Sequence, residues 1–410
     1  METTVFYLII GIVVFNFILD KALDFLNDSR KQPQLPEVAK GIYDEATYQK
    51  WVAYDKVKGR FSQWSSSISF IGTMLVLVLG GFGWLDTFLR TELTTHPIGL
   101  ALAYLGILTI ASSLLGLPFE LYDTFVIEAR FDFNKTTWQT FIGDKIKGAL
   151  LGALIGGGLL ALIIWFYESV GSLFWLYAWA VISVFSIFMT MFAASWILPL
   201  FNKLTPLPDG TLRDSIVGYC EKVDFQLDNL FVMDGSKRST KANAFFSGLG
   251  PKKKIVLYDT LIEKQSVEEI TAVLAHEVGH YKKKHTLLSV VLSIAQTGAM
   301  LFLFSLFVNQ PEFSLALGAA EPGFHLGLIA FGILYTPLSM VLGIGMNLLS
   351  RKNEFEADAY ARETYDGSPL ETALKKLHVD SLSNLTPHPA YVFVHYSHPP
   401  LLERLKALKA

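Results

Sequence analysis

The chain has 410 residues, of which 51% are hydrophobic and only 17% charged; a soluble domain carries about 25% charged residues, so much of this surface is expected to meet lipid. With a formal net charge of −3, nothing in the composition suggests a nucleic-acid surface. Cys220 is the only cysteine, which excludes an intramolecular disulfide and a cysteine-based metal site.

The N-terminal stretch METTVFYLIIGIVVF has no Lys or Arg ahead of its apolar run and no small-residue cleavage site after it. A first membrane helix is expected there rather than a cleaved leader. Crossing about 30 Å of hydrocarbon at ~1.5 Å per residue takes roughly 20 apolar residues. Segments of that kind fall at 4–25, 65–88, 97–118, 147–168, 172–201, 286–309 and 324–349. Within the fourth, Gly148, Gly152 and Gly156 recur every fourth residue, a spacing that predicts close helix approach.

Loop charge tests this division. Lys and Arg accumulate between spans one and two (Arg30, Lys31, Lys40, Lys50, Lys56, Lys58, Arg60), between three and four (Arg130, Lys135, Lys145, Lys147), and between five and six (including Lys252, Lys253, Lys254, Lys282, Lys283, Lys284). They accumulate again after the seventh, from Arg351 and Lys352 onward, whereas the second loop has only Arg90 and the fourth and sixth have none. That alternation predicts about seven transmembrane helices, with the N-terminus outside and the C-terminus in the cytosol.

Residues 202–285 form the one large polar segment between spans. Within it 230–239, 242–248 and 253–259 read as short strands separated by turn residues. Ser266 with Glu269 three residues on is a capping box, expected to start a helix that runs through ITAVLAHEVGHYKKKH to His285.

The chemistry lies on that helix. His276-Glu277-Val278-Gly279-His280 is an HExxH motif. Positions i and i+4 of a helix lie about 40° apart on one face, so two imidazoles can converge on one zinc ion. Glu277 flanks the metal and suits a general base for the attacking water. The competing reading is a polar helix face with two hydrogen-bonded histidines.

A catalytic zinc takes a third protein ligand and keeps one position open. Just past the seventh span come Glu354, Glu356 and Asp358. Glu354 and Asp358 share a helical face, and Glu356 points roughly the other way. Glu354 is expected as the ligand and Asp358 as the acceptor that fixes a ligand histidine's tautomer; a solvated acidic face is the alternative. Near the C-terminus, His398 is a candidate donor to the oxyanion of a tetrahedral intermediate. Arg404 is a candidate to orient it or to bind carboxylate, and a histidine packed in a helix cap is the competing explanation. His285, His378 and His388 show no motif and read as surface or structural residues.

At this point the chain resembles the CAAX prenyl protease 1 family of multi-spanning zinc endopeptidases. The resemblance rests on PLFNKLTPLPDG (199–210), SKRSTKANAFFSG (236–248), HEVGH (276–280), SRKNEFEADAYA (350–361) and HYSHPPLLERL (395–405), with PFELYDTFVIEARFDFNKTT (118–137) in addition. It covers nearly the whole chain in order. It implies that His276, His280 and Glu354 are the zinc ligands, that Glu277 is the catalytic glutamate, and that His398 and Arg404 sit near the catalytic centre. It further implies that Asn243 and Ala244 lie in the strand along which a substrate peptide aligns by β-augmentation. Seven helices are then expected to surround an intramembrane chamber closed by the zinc site on the cytosolic side, with the lysine triplets as anchors at that face or as ordinary solvated charge.

The expected fold class is therefore mainly α: a multi-spanning membrane protein with a zincin-like metalloprotease domain made of the HExxH helix and a small β-sheet. Its expected parts are helices one to five with cytosolic loops (1–201), a zincin-like catalytic segment (202–285), helices six and seven (286–349) and a C-terminal segment carrying the third ligand (350–410). The expected activity is metal-assisted peptide hydrolysis with one zinc ion, removing the C-terminal tripeptide of prenylated substrates. Two alternatives stand beside it: a broad-specificity membrane quality-control metalloprotease, and a non-catalytic zinc-binding membrane transporter or scaffold. The short loop between spans six and seven favours a bacterial inner membrane; a eukaryotic chain is expected in the endoplasmic reticulum.

Overall fold

The computed structural model describes residues 2–227, 229–247 and 254–410. Helix α1 (Glu2–Ser29) leads to a polar turn and to α2 (Glu45–Val78), which Asp44 caps by accepting from Thr47 N at 2.9 Å. Then come α3 (Gly81–Glu92), α4 (Pro97–Tyr122), which continues as π-helix to Glu128, and α5 (Trp138–Leu151). A π-helical turn, Gly152–Gly156, joins α5 to α6 (Gly157–Val170), and α7 (Phe174–Trp196) and α8 (Leu198–Phe201) complete the first half.

Among the described residues six continuous stretches are long and apolar enough to cross a membrane. One of them, Trp138–Phe201, is interrupted at Gly171, whose φ of 58° no ordinary side chain favours, and the helices on either side, α6 and α7, pack on each other, which is roughly consistent with the seven expected. Large apolar side chains on these helices are exposed; Leu115 and Leu154 are 75% and 76% exposed. An outer surface of that kind is stable only against lipid.

Two sequence expectations change here. The apolar run 65–88 is not one helix. It breaks at Gly80 (φ 68°), and α3 packs separately, with Gly83 so close to the Gly318 carbonyl oxygen that a Cβ would sit 1.9 Å from it. The spacing of Gly148, Gly152 and Gly156 does not mark a helix contact either. A Cβ on any of the three meets nothing within 4 Å, and the helix widens to π geometry over Gly152–Gly156.

The polar segment opens with β1 (Leu204–Pro206), which sequence patterning missed because it is three residues long and ends in proline. It continues with α9 (Thr211–Lys222), β2 (Leu230–Met233), β3 (Ala244–Ser247) and β4 (Lys254–Tyr258). The strands form one sheet of order β1-β2-β4-β3, parallel between β2 and β4 and otherwise antiparallel. β2 stops at Met233 rather than running to 239, because the chain turns at Asp234-Gly235 and Gly235 lies against the Tyr258 ring, where a Cβ would be 2.4 Å away. Gly248, Lys252 and Lys253, named in the expected strands and lysine run, lie outside the described residues.

After α10 (Asp259–Lys264) come α11 (Val267–Lys282) and α12 (His285–Phe307). The expected single helix through His285 ends at Lys282, since Lys284 adopts a left-handed φ of 61° and turns the chain into α12. Following α13 (Pro311–Ala316), α14 runs unbroken for 41 residues, Phe324–Thr364, through the membrane and out into the polar domain. Helices α15 (Gly367–Asp380), α16 (Pro389–His395) and α17 (Leu401–Lys409) close the fold. One core unites α9, the sheet, α11, α15 and α17 with Tyr48, Trp51 and Tyr54 of α2 and with Phe131 and Phe133 after α4. The polar domain is thus tied to the membrane helices through buried aromatic side chains.

Candidate metal centre

Helix α11 begins at Ser266, whose Oγ accepts from Glu269 N at 3.2 Å while Glu269 Oε2 accepts from Ser266 N at 2.8 Å. Ile270, Leu274 and Val278 recur at helical spacing and bury one face of α11 in the polar core. Burying that face fixes the rotation of the helix, and His276 and His280, one turn apart, meet α14. Gly279 between them permits the approach, since a Cβ there would lie 3.1 Å from Ala357 Cα and 3.2 Å from its carbonyl oxygen.

The close approach brings three side chains to one point. His276 Nε2 and His280 Nε2 are 3.1 Å apart. Glu354 Oε2 lies 3.6 Å from His276 Nε2, and Oε1 lies 3.3 Å from His280 Nε2. One ligand atom from each residue lies within 4.8 Å of the other two. Ligand atoms of a tetrahedral zinc, at bonds of about 2.0–2.1 Å, are separated by roughly 3.3–3.4 Å. The donor set, two imidazoles and a carboxylate, therefore fits one such ion and leaves a position for water or substrate. Glu354 is 4% exposed and its Oε2 accepts no hydrogen bond among the described residues, a state that a bound cation relieves.

Around these three the structure adds a charged frame. Asp358 Oδ1 lies 2.8 Å from His276 Nδ1. Arg404 of α17 grips Asp358 with two hydrogen bonds, Nε to Oδ2 at 2.8 Å and Nη2 to Oδ1 at 2.6 Å. Its Nη1 stands 3.3 Å from Glu354 Oε2. Arg404 thus lies against two carboxylates of this chain. His398, exposed at the rim, places Nδ1 3.1 Å from Glu354 Oε1. Burial by itself raises the pKa of the Glu354 carboxyl, but hydrogen bonds from His280 and His398 and the nearness of His276 and Arg404 outweigh it and hold the group well below the usual carboxylate range. Asp358 is likewise kept ionised against its burial by Arg404 and His276.

Glu277 is half-buried next to His276, and no hydrogen bond or ion pair occupies its carboxylate among the described residues. Its charge is among those that act on both His398 and Arg404. Ala244 opens β3, whose one sheet partner among the described residues is β4, so that it is an edge strand among them. Asn243, exposed just before it, accepts from Ala244 N through Oδ1 at 2.8 Å and from Tyr258 N through its backbone oxygen at 3.1 Å.

Of the histidines without a motif, His378 is held by the Leu374 carbonyl and burial drives its pKa down to about 4, while His388 caps α16 by accepting from Ala390 N. His285 is different. It is 6% exposed, with Nδ1 3.0 Å from His280 Nδ1 and Nε2 3.1 Å from Glu356 Oε2. Sequence reasoning missed this pair because His285 is five residues beyond His280, off the helical repeat. The left-handed turn at Lys284 that returns it has no sequence signature of its own.

Residues 26–203 match the family described as CAAX prenyl protease N-terminal, five membrane helices, and residues 206–410 match peptidase family M48. The chain is 36% identical to a CAAX prenyl protease 1 homolog of Arabidopsis thaliana, covering 98% of this chain and 96% of the relative. It is 35% identical to CAAX prenyl protease 1 of Saccharomyces cerevisiae, covering 92% and 89%, and 34% identical to the CAAX prenyl protease 1 homolog of Homo sapiens, covering 91% and 88%. The crystal structure of S. mikatae Ste24p superposes on 99% of both chains with a TM-score of 0.93 at 33% identity.

Proposed function

Since the chain belongs to peptidase family M48 and, within it, to the membrane metalloendopeptidases of the CAAX prenyl protease 1 group, we propose that it works with one zinc ion on prenylated substrates and removes their C-terminal tripeptide. The observation that carries this reading is the convergence of ligand atoms from His276, His280 and Glu354, on two different helices, within 4.8 Å.

A zinc ion in such a site supplies Lewis acidity to the scissile carbonyl and to the attacking water. The side chains do the rest. Glu277, with its carboxylate uncommitted, takes the proton of that water and delivers it to the leaving amine. His398 at the rim donates to the carbonyl oxygen as negative charge develops there. Asp358 Oδ1, 2.8 Å from His276 Nδ1, favours the tautomer protonated there, so that the Nε2 lone pair faces the ligand cluster, and Arg404 balances the charge of both carboxylates. Asn243 and Ala244 present the edge strand β3 to an extended peptide, which main-chain bonds hold without strict side-chain choice.

The Lys and Arg content of the loops supports an outside N-terminus, a cytosolic C-terminus and a cytosolic site. The ligand-bearing ends of α11 and α14 both lie on that side. The membrane is a bacterial inner membrane or the endoplasmic reticulum. The test uses purified full-length protein, zinc content measured alongside, and a farnesylated peptide compared with its unprenylated form. Preferred release of a tripeptide from the farnesylated peptide is expected. Equal cleavage of both, with turnover of an unfolded membrane protein, overturns the substrate class in favour of quality control; zinc without any peptidase activity overturns the proposed mechanism.

A further inference from the structure

We propose that His285 and Glu356 form a relay that sets the tautomer and orientation of His280, and so act as positioning residues for metal binding although neither reaches the metal position. This rests on the reading of His276, His280 and Glu354 as one cation site.

With a cation held between the two Nε2 atoms and Glu354, the hydrogen-bond logic admits one arrangement. His280 Nε2 faces His276 Nε2 at 3.1 Å and Glu354 Oε1 at 3.3 Å, so a cation held there would take its lone pair and leave its proton on Nδ1. That Nδ1–H donates to His285 Nδ1 at 3.0 Å, because two ring nitrogens at this distance cannot both donate or both accept. The proton of His285 is then on Nε2, which donates to Glu356 Oε2 at 3.1 Å. Each atom in the chain Glu356–His285–His280 has one role, and a carboxylate ends it.

The two ligand histidines are thus oriented by different devices. His276 leans directly on Asp358, a carboxylate from the same helix as Glu354, whereas His280 reaches its carboxylate through a second imidazole. The backbone accounts for the intermediary. α11 ends at Lys282, and the left-handed Lys284 swings His285, first residue of α12, back beneath His280. Glu356, two residues past Glu354 on α14, points away from the cluster and meets His285 from outside. Three helices that cannot all reach the metal position thereby each contribute to holding one ligand. A buried histidine with both ring nitrogens engaged in this way is more ordered than packing alone requires. Groups hydrogen-bonded behind metal ligands typically change metal affinity by roughly 10- to 100-fold when removed.

The experiment measures zinc affinity of purified full-length protein by competition with a chromophoric chelator, together with thermal stability of the metal-free form. The variants are His285→Phe, which keeps the ring but removes the acceptor, Glu356→Ala, Glu356→Gln and His280→Ala as a reference. Glu356 is 40% exposed, so its variants test the relay without emptying the core. Expected are a 10- to 100-fold loss of zinc affinity in His285→Phe, a smaller loss in Glu356→Ala and recovery in Glu356→Gln, with metal-free stability near that of the parent. Unchanged zinc affinity in both His285→Phe and Glu356→Ala overturns the relay. A loss of affinity matched by a fall in metal-free stability overturns it too, as a packing effect. Failure of the parent protein to bind zinc, or parent-like binding by His280→Ala, overturns the underlying metal site instead.

Discussion

Gly279 and Ala357 are in such close contact that a single added carbon at Gly279 would lie 3.1 Å from the Ala357 Cα. This contact sets the distance between the helix with two imidazoles and the helix with the third ligand. Replacing Gly279 with Val is expected to push α11 and α14 apart at a cost of about 1–3 kcal/mol. The same variant is expected to reduce bound zinc, read by elemental analysis of the purified protein, and Gly279→Ala is expected to fall between it and the parent. Full zinc occupancy in Gly279→Val contradicts the role given to the contact.

Glu277→Gln removes the proposed base and leaves the ligand cluster intact. Zinc content is expected to stay at the parent level while turnover of a peptide substrate falls roughly 10²- to 10⁴-fold. Normal turnover in this variant excludes Glu277 as the base.

Asp358 and Arg404 are 1% and 7% exposed and hold each other through two hydrogen bonds. Removing one partner leaves the other buried without its counter-charge. Asp358→Ala is expected to destabilise the fold by about 3–5 kcal/mol, measured as a large drop in melting temperature. Arg404→Ala is expected to be similarly damaging, because both Asp358 and Glu354 then lose a cation within 3.3 Å.

Chelation of the metal is expected to abolish cleavage and lower the melting temperature, with both restored by zinc. A cation that binds only the folded state at a hundred times its dissociation constant stabilises by about 2.7 kcal/mol. A chelator titration followed by activity and by melting temperature checks the two effects together.

Burial of Cys220, 1% exposed, pushes its thiol pKa up to about 11. Since the thiolate is the reactive form, a raised pKa means less of it at neutral pH. Maleimide labelling of the folded protein at pH 7 is therefore expected to be slow and to become rapid on unfolding. Rapid labelling under native conditions contradicts the buried position.

Much of the architecture could be read before any coordinates. Apolar runs indicated roughly how many apolar helices the chain has, and the Ser266–Glu269 box located the start of α11. What could not be read were features without a local pattern. The helix after the break at Gly80 packs through Gly83 on Gly318, more than two hundred residues away. The Gly148–Gly152–Gly156 spacing suggested a helix contact that is absent, since a recurring glycine allows approach but does not supply a neighbour. β1 is too short to show alternation.

The same division runs through the site. Residue type and helical repeat were sufficient to nominate His276, Glu277, His280, Glu354 and Asp358, because ligands one turn apart on a helix leave a periodic trace in the chain. His285 and Glu356 leave none. Their meeting depends on a left-handed turn at Lys284 and on how α12 and α14 lie beside α11. Local order along a chain encodes what one helix presents. Which helices touch, and so which polar groups must satisfy one another away from water, is settled only when the long-range packing is complete.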